Sequence, residues 1–283
     1  MTQKQDFHTF YQNAERGAKL RFVNEIGSYT SPSLSALSGF DHGFSARTGG
    51  VSEGFFSSLN LSFTRPEEPA NVMQNYRLFC NAMGIPFESM VMDNYAHETT
   101  VLCVSSGDAG RGYLREPLPS CDGLVTNDPS ITLITGHADC MAFFCIDPST
   151  KSIGLAHAGW RGALGRIGAN VIKQMTEHFG TNPADVLVSV GPSICSNCFE
   201  VGRNVAEAFE QEFGDIPCVL SRAGEKAHVD LWMVAAKQFY DAGVQAGHFS
   251  LFDVCTMETP LLYSHRRDKG NTGGMAAYLR ILA

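Results

Sequence analysis

The stretch C-M-A-F-F-C-I-D-P-S-T-K-S-I-G-L-A-H, residues 140–157, holds two unbroken apolar runs separated by a short polar segment. Met141 to Ile146 and Ile153 to Ala156 have the length and composition of buried strands, and Asp147-Pro148 ends the first of them. Two such runs with so short a connection predict an antiparallel hairpin. This hairpin decides the fold, because its two buried strands must lie in the core of the domain.

The register of the hairpin brings a thiol close to an imidazole. Facing residues of an antiparallel pair have numbers with a constant sum, here about 298 to 300, which places Cys140 opposite residues 158–160, one step from His157. A cysteine and a histidine together can form a nucleophile and its general base, or two ligands of a zinc or copper ion. Alternatively, the pair has no chemical function and consists of a buried free cysteine beside a hydrogen-bonded core histidine.

The residues around this pair favour a functional site. Asp139 precedes the cysteine, and the segment A-G-W-R-G, residues 158–162, follows the histidine. Its small residues leave room for a ligand beside an indole face and the guanidinium of Arg161.

Four motifs in the chain are together far more specific than any one of them. They are A-D-C at 138–140, H-A-G-W-R-G at 157–162, H-G-F-S-A-R-T-G-G-V-S at 42–52 and G-P-S-I-C-S-N-C-F-E-V-G at 191–202. In combination they resemble the YfiH-type family, whose members are described as multicopper polyphenol oxidases and as zinc-binding purine nucleoside phosphorylases. The resemblance covers about residues 40–283.

The resemblance implies a metal site made by His97, Cys140 and His157, which would also be the catalytic centre. Zn²⁺ is the expected ion and Cu²⁺ the alternative, with a fourth position left for water or substrate. Asp122, in an Asp-Gly turn similar to that of the family, is expected to orient a site residue and to belong to the substrate-binding residues. Arg47, which matches the family arginine near the pocket, is expected with Arg161 to hold phosphate or substrate.

Two positions depart from the family pattern. The metal histidine of the family lies in a Q-x-H segment, and here Tyr95 replaces the glutamine while His97 is kept. The family also has an arginine in a T-G-R segment near the end of the chain, where this sequence has Gly274. If that arginine holds an anion, another group must take its place here.

The function implied by the resemblance is a purine nucleoside phosphorylase that cleaves adenosine, inosine, guanosine and methylthioadenosine with phosphate, with adenosine deamination as an additional activity. Copper-dependent polyphenol oxidation (a laccase) is one alternative, although nine dispersed histidines without an H-x-H pair do not suit several copper sites. A hydrolase that edits peptidoglycan precursors with a Cys140–His157 pair is another. A non-catalytic metal-binding partner protein is the third, and it predicts a fourth protein ligand.

Composition limits the partners and the compartment. The formal net charge is −8 and basic clusters are missing, which argues against a nucleic-acid surface. We expect no membrane association, since no apolar run approaches the roughly 20 residues of a membrane span. Nine cysteines, an odd number, fit reduced thiols in the cytoplasm better than a disulfide framework. The expected ligands are a small nucleoside and phosphate, and the expected state is a monomer.

The pattern along the chain predicts a mixed α/β (α+β) fold, with a central mixed β-sheet or β-sandwich flanked by helices. Residues 1–39 are predicted to form a peripheral arm and residues 40–283 the catalytic domain. The predicted core strands and outer helices are strands at about 131–135, 141–146 and 152–157, and helices at about 71–83 and 162–179.

Three further features contain side chains capable of metal binding or catalysis, but their sequence context favours structural roles. Cys195 and Cys198 form a C-x-x-C pair, which without a second pair does not by itself indicate a metal or redox site. The consecutive arginines Arg266 and Arg267 are typical of a solvated face. His137 lies near Cys140 but matches none of the expected ligands.

Overall fold

The computed structural model describes residues 6–282, and the first five residues of the predicted N-terminal arm, like Ala283, lie outside this range. Seven helices lie within the described range: α1 (Phe7–Gln12), α2 (Pro32–Ser35), α3 (Pro69–Met83), α4 (Trp160–Leu164), α5 (Ile167–Phe179), α6 (Arg203–Phe213) and α7 (Leu231–Ala242). The strands are β1 (Glu15–Arg16), β2 (Lys19–Val23), β3 (Ile26–Thr30), β4 (Phe40–Ser45), β5 (Met90–Met92), β6 (Val101–Cys103), β7 (Gly123–Thr126), β8 (Thr132–His137), β9 (Met141–Asp147), β10 (Ser152–Ala158), β11 (Leu187–Val190), β12 (Glu200–Gly202), β13 (Val219–Ala223), β14 (Lys226–Val229), β15 (Phe249–Leu251) and β16 (Met275–Ile281). No helix in residues 6–282 is both long enough and apolar enough to cross a lipid bilayer.

The strands form three sheets. The largest has seven strands in the order β1-β15-β11-β9-β10-β7-β6, the second has six in the order β2-β3-β4-β16-β8-β5, and a small third sheet has the order β12-β14-β13. Both large sheets contain parallel and antiparallel pairs: β11 is parallel to β15 but antiparallel to β9, and β8 is parallel to β5 but antiparallel to β16. The expected mixed α/β fold is confirmed.

Strand β9 shows why the sheets stack. Met141, Phe143 and Cys145 face one core cluster, with α5 and α7, whereas the alternate residues Phe144 and Ile146 face a second cluster shared with β8 and β16. Because successive side chains of a strand point to opposite faces, a strand covered on both faces has no polar side to expose. This accounts for the unbroken apolar run in the sequence.

Strand β16 repeats the pattern in the six-stranded sheet. Ala277 and Leu279 face the seven-stranded sheet, while Ala276 and Tyr278 face a third cluster against α3. The molecule is therefore a β-sandwich with helices on both outer faces, in four layers. The helix predicted over 71–83 is α3, which begins two residues earlier at Pro69 and ends before Gly84 in the left-handed conformation (φ 66°).

The hairpin register predicted from the sequence is confirmed. In the pairing of β9 with β10, Ser152 faces Asp147 and Ala158 faces Met141, so that paired residue numbers sum to 299 throughout. Extended by one residue, this register sets Cys140 opposite Gly159. The three predicted core strands are β8, β9 and β10.

The single helix predicted over residues 162–179 is wrong, since the segment forms two helices, α4 and α5. The break lies at Gly165 and Arg166, and Arg166 has a left-handed backbone (φ 61°). The buried side chain of Gln238 on α7 replaces the helical hydrogen bonds that the break removes. Its amide donates to the Ala163 carbonyl at 3.0 Å, and its oxygen accepts from the Gly168 N–H at 3.0 Å.

The described part of residues 1–39 contributes to both large sheets. Strand β1 pairs with β15, and β3 pairs with β4. In α1, the buried ring of Phe10 packs with its centroid 5.5 Å from that of Tyr240 on α7.

Candidate metal centre

The candidate site lies at one open end of the sandwich, where the chain crosses between the sheets. Strand β8 belongs to the six-stranded sheet and β9 to the seven-stranded one, and only Ala138, Asp139 and Cys140 connect them. Asp139 turns the chain with a positive φ of 81°. Its carboxylate accepts hydrogen bonds from the Thr256 hydroxyl at 2.6 Å and the Arg266 N–H at 2.7 Å, which fixes the turn and thereby Cys140.

His97, Cys140 and His157 come together at this end. One nitrogen of each imidazole and the thiol sulfur lie within 4.8 Å of one another, so one ion could contact all three. Gly159, which faces Cys140 in the hairpin, lies against the same group. A methyl group on Gly159 would lie 2.8 Å from Cδ2 of His97 and 3.3 Å from Sγ of Cys140, so only glycine leaves this space open.

The buried carboxylate of Asp122 holds two of these residues in place. It accepts hydrogen bonds from the backbone N–H groups of Ala96, His97 and Glu98 at 2.9–3.0 Å, and from Nδ1 of His157 at 2.9 Å. The first three bonds fix the segment that carries His97, which has a left-handed backbone (φ 62°). The fourth fixes the orientation of the His157 ring: Nδ1 carries a proton towards Asp122, so Nε2 is the nitrogen left to face the other two side chains and to bind an ion.

The charges within the group favour a thiolate. Burial alone would raise the pKa of the Cys140 thiol, but the charge of His157 and hydrogen bonds from His157 and His97 outweigh it and lower that pKa to about 7. Burial likewise opposes the charged form of His157, yet the neighbouring thiolate and Asp122 raise its pKa well above the usual value. For Asp122, the hydrogen bonds from His157 and the backbone outweigh burial and lower the pKa.

The donor set suits a zinc ion. Two imidazoles and one thiolate are preferred ligands of Zn²⁺, and the hydrogen bond from His157 to Asp122 is the carboxylate contact that metal-binding histidines usually make. Among the described residues the group contains three protein ligands.

A cavity of about 470 Å³ opens onto the group, a volume typical of sites for small molecules. His97, Cys140 and His157 line it. The other lining residues are Thr64, Arg65, Tyr95, Gly136, Ala138, Asp139, Trp160, Arg161, Ile194, Phe199, Leu231, His265 and Arg266. Three cationic side chains therefore face the same space as the candidate metal ligands.

Arg65 has an unsatisfied donor in the cavity wall. Its Nε is buried and has no hydrogen-bond partner within residues 6–282. The segment leading to it occupies the space beside Gly274, where a methyl group would lie 2.6 Å from Cβ of Ser62. Arg161 instead stacks on Trp160, with its guanidinium carbon 4.2 Å from the ring centre.

Arg47 is not brought to the cavity with His97, Cys140, His157 and Arg161. Its Nε and Nη2 donate to the Ser57 carbonyl at 2.8 and 2.7 Å, and its guanidinium carbon lies 4.4 Å from the centre of the Tyr263 ring. It is not among the described residues that line the cavity. His42 and His137 have structural contacts: Nε2 of His42 accepts from the Ser31 N–H at 2.9 Å, and Nε2 of His137 lies 2.8 Å from the Thr135 hydroxyl.

Sequence reasoning missed the cavity residues Arg65, His265 and Arg266. The solvated face expected for the consecutive arginines is wrong, since Arg266 is partly buried and donates to the Glu200 carbonyl at 2.8 Å. Arg267 turns the other way and donates to four backbone carbonyls. The consecutive arginines were the signal that could have drawn attention to Arg266, whereas nothing in the local sequence distinguishes Arg65.

Tyr95, which replaces the family glutamine, packs on the group instead of extending an amide towards it. Its ring centre lies 4.7 Å from that of His157 and 5.6 Å from that of His97, and its hydroxyl lies 3.2 Å from that of Thr64.

Similarity to known proteins identifies the family of this chain. The family model described as "Multi-copper polyphenol oxidoreductase laccase" matches residues 41–282. The chain belongs to this family. Among relatives, it is 32% identical over 245 residues to "Purine nucleoside phosphorylase YlmD" of Bacillus subtilis, which covers 84% of this chain and 87% of that protein. It is 35% identical over 238 residues to "Purine nucleoside phosphorylase" of Deinococcus radiodurans, covering 84% and 88%.

Solved structures of the family have the same fold. The crystal structure of YlmD from Geobacillus stearothermophilus superimposes with a TM-score of 0.87 at 28% identity, covering 93% of this chain and 98% of that one. The Bacillus licheniformis hypothetical protein YfiH gives a TM-score of 0.84 at 27% identity, with the same coverage.

Proposed function

We propose that this member of the family is a purine nucleoside phosphorylase that cleaves adenosine, inosine, guanosine and methylthioadenosine with phosphate. The observation that carries the proposal is the His97–Cys140–His157 group, which opens onto a cavity lined by three arginines. A phosphorolytic enzyme must hold an anion next to the bond that it cleaves, and these arginines supply the positive charge. The names of the relatives support the same activity.

In this proposal His97, Cys140 and His157 hold Zn²⁺. A bound zinc ion supplies a Lewis acid that stabilises negative charge developing on the substrate. The other described residues do the positioning. Asp122 keeps both histidines in place through its four hydrogen bonds.

Phosphate is held by Arg65 and Arg161, with Arg266 contributing further charge at the same wall. The unpartnered Nε of Arg65 is suited to this role, because a guanidinium binds an oxyanion best through two parallel N–H groups. Arg65 would thus take the place of the arginine that the family has at the position of Gly274. The aromatic side chains of Tyr95, Trp160 and Phe199 offer apolar surface for a purine ring.

Phosphorolysis then replaces the bond between the ribose and the purine with a bond between the ribose and phosphate. A phosphate oxygen forms a bond to C1′ while the C1′–N9 bond breaks, and the purine leaves with the bonding electrons and takes up a proton. The arginines lower the cost of placing the phosphate beside C1′, since they hold the anion in position. We further propose that the protein acts in the cytoplasm as a monomer on small molecules, without nucleic acid, in keeping with its net charge of −8.

A copper oxidase is the second candidate, because the matching family model carries that description. Multicopper oxidation needs several copper sites rich in histidine. Within residues 6–282, two groups of side chains could hold a metal ion, and one of them contains histidine. Oxygen uptake by copper-loaded protein with a phenolic substrate would support this alternative.

The deciding experiment incubates protein of measured metal content with each of the four nucleosides, with and without phosphate. The proposal expects free base and ribose 1-phosphate (or its methylthio analogue) only when phosphate is present. Formation of inosine and ammonia from adenosine would show that the protein also deaminates adenosine. If phosphate leaves every nucleoside intact, the proposed function is wrong.

A further inference from the structure

A second group of candidate metal ligands lies behind the wall of the cavity. The thiols of Cys195, Cys198 and Cys255 and the carboxylate of Glu258 place one ligand atom each within 4.8 Å of one another. None of these residues belongs to the His97–Cys140–His157 group, and the proposed phosphorolysis does not use them.

The topology of the sheet explains why these residues meet. Cys195 and Cys198 follow β11, and Cys255 and Glu258 follow β15. The two strands are parallel neighbours, so the loops after them leave the sheet at the same edge. Backbone bonds join the loops there: the Ser193 N–H donates to the Val254 carbonyl at 3.1 Å, and the Thr256 N–H donates to the Ser193 carbonyl at 3.1 Å.

The distances from Glu258 to two of the thiols are close to those expected around a tetrahedral ion. Oε1 of Glu258 lies 3.8 Å from Sγ of Cys195 and 3.4 Å from Sγ of Cys198. For zinc bonds of typical length, a sulfur and an oxygen ligand on adjacent corners of a tetrahedron are about 3.5 Å apart. The Cys195 N–H also donates to Sγ of Cys255 at 3.4 Å, the kind of hydrogen bond that orients a metal-binding ligand.

We propose that Cys195, Cys198, Cys255 and Glu258 bind one Zn²⁺ ion in a structural site. Three thiolates and a carboxylate complete the four-coordinate shell that structural zinc requires, whereas the group that faces the cavity has three protein ligands. Cys195 and Cys255 are buried, Cys198 is half-buried and Glu258 is exposed, so the ion would lie near the surface with two of its thiolates covered. The site needs no substrate, and its zinc content can be measured whether or not the proposed activity is correct.

The position of the group indicates what the ion does. The loop between Cys195 and β11 carries Ile194, whose N–H donates to the Asp139 carbonyl at 3.0 Å, in the turn before Cys140. The Cys198 carbonyl accepts a hydrogen bond from Nη1 of Arg266 at 3.4 Å, and Phe199 follows directly. Ile194, Phe199 and Arg266 all line the cavity. An ion that ties the two loops together therefore holds one wall of the cavity in place.

The test uses the full-length chain and counts zinc by elemental analysis. Wild-type protein should hold about two ions per chain, and the triple variant His97→Ala/Cys140→Ala/His157→Ala about one. Cys198→Ser in the triple variant should remove the remaining ion. Cys103→Ser, which replaces an exposed thiol outside both groups, should leave the zinc content unchanged.

Cobalt distinguishes the ligands of the two sites. Thiolate-to-cobalt absorption increases with the number of bound thiolates, so the Co²⁺-loaded triple variant should absorb more per ion than Co²⁺-loaded Cys198→Ser/Cys255→Ser, which keeps one thiolate at the cavity site. If the triple variant does not fold, Cys198→Ser alone should lower the zinc content by about one ion per chain. A triple variant that folds without zinc, an unchanged zinc content in Cys198→Ser, or a Cys195–Cys198 disulfide found by thiol titration would each overturn the proposal.

Discussion

At the scale of single residues, Cys140 contributes the only thiolate of the group that faces the cavity. In the Cys140→Ala variant, two imidazoles remain, and we expect zinc affinity and nucleoside turnover to fall by at least about 100-fold. Zinc per chain and turnover of inosine with phosphate are the measurements. Cys145→Ala is the matched control, because Cys145 is a buried thiol of β9, the strand that Cys140 directly precedes, and it faces the helices. A Cys140 variant with the zinc content of the wild type would remove this residue from the ligand set.

Arg65 and Arg47 allow a paired test of the phosphate site. Arg65→Ala should raise the KM for phosphate by about 10- to 100-fold while zinc content and the KM for nucleoside stay near wild type, because a charge-assisted contact to the anion is lost. Arg47→Ala should change the KM for phosphate less than about twofold, since this guanidinium is occupied by Ser57 and Tyr263. The reverse result would assign the anion to Arg47, as the family resemblance implies.

At the scale of elements, the junction between β10 and α4 depends on the absence of a side chain at Gly159. A methyl group there would meet His97 at 2.8 Å, so Gly159→Ala should displace that imidazole and weaken zinc binding by about tenfold or more. The backbone itself tolerates alanine, because φ of Gly159 is −68°. Competition with a chelator measures the affinity. Gly107→Ala is the control, since its methyl group would meet only Oγ of Ser105, at 3.8 Å; equal affinities in the two variants would refute the steric argument.

Elements also differ in how far their sequences predict them. The hairpin register was predictable because both strands are buried on both faces and the connection is short, so few alternative pairings keep every apolar residue covered. The break between α4 and α5 was not predictable, because the apolar spacing of residues 164–179 is helical throughout. What permits the break is Gln238, which lies 70 residues from Gly168 in the chain.

At the scale of the whole molecule, the core between the sheets contains a histidine that is neutral at pH 7. Burial lowers the pKa of His42 to about 4; of the smaller effects, the charge of Asp41 raises this pKa and the charge of Arg21 lowers it. Since the pKa in the unfolded chain is about 6.5, the unfolded state binds more protons below that pH, and stability present above pH 6.5 is lost as pH falls towards 4.

The His42→Gln variant should therefore be less sensitive to acid. Glutamine keeps an acceptor for the Ser31 N–H but does not titrate, so the loss of unfolding free energy between pH 7 and pH 5 should be about 2 kcal/mol smaller than in the wild type. Urea unfolding at the two pH values measures it. The buried His137, whose pKa burial also lowers, is present in both proteins and cancels in the difference. An equal loss of unfolding free energy in the two proteins would contradict the assignment of this pH dependence to His42.

The sequence by itself determined the hairpin, the meeting of Cys140 with His157, and the family to which the chain belongs. These follow from local patterns: strand periodicity acts over a few residues, and the motifs are contiguous in the chain. Only the tertiary structure decided which arginines reach the cavity and which ligands complete the C-x-x-C pair. Arg65 and Arg266 are about 200 residues apart, and Cys255 and Glu258 join Cys195 only because β11 and β15 are parallel neighbours. Contacts between loops of different strands depend on the order of strands in the sheet, which no local stretch of sequence specifies.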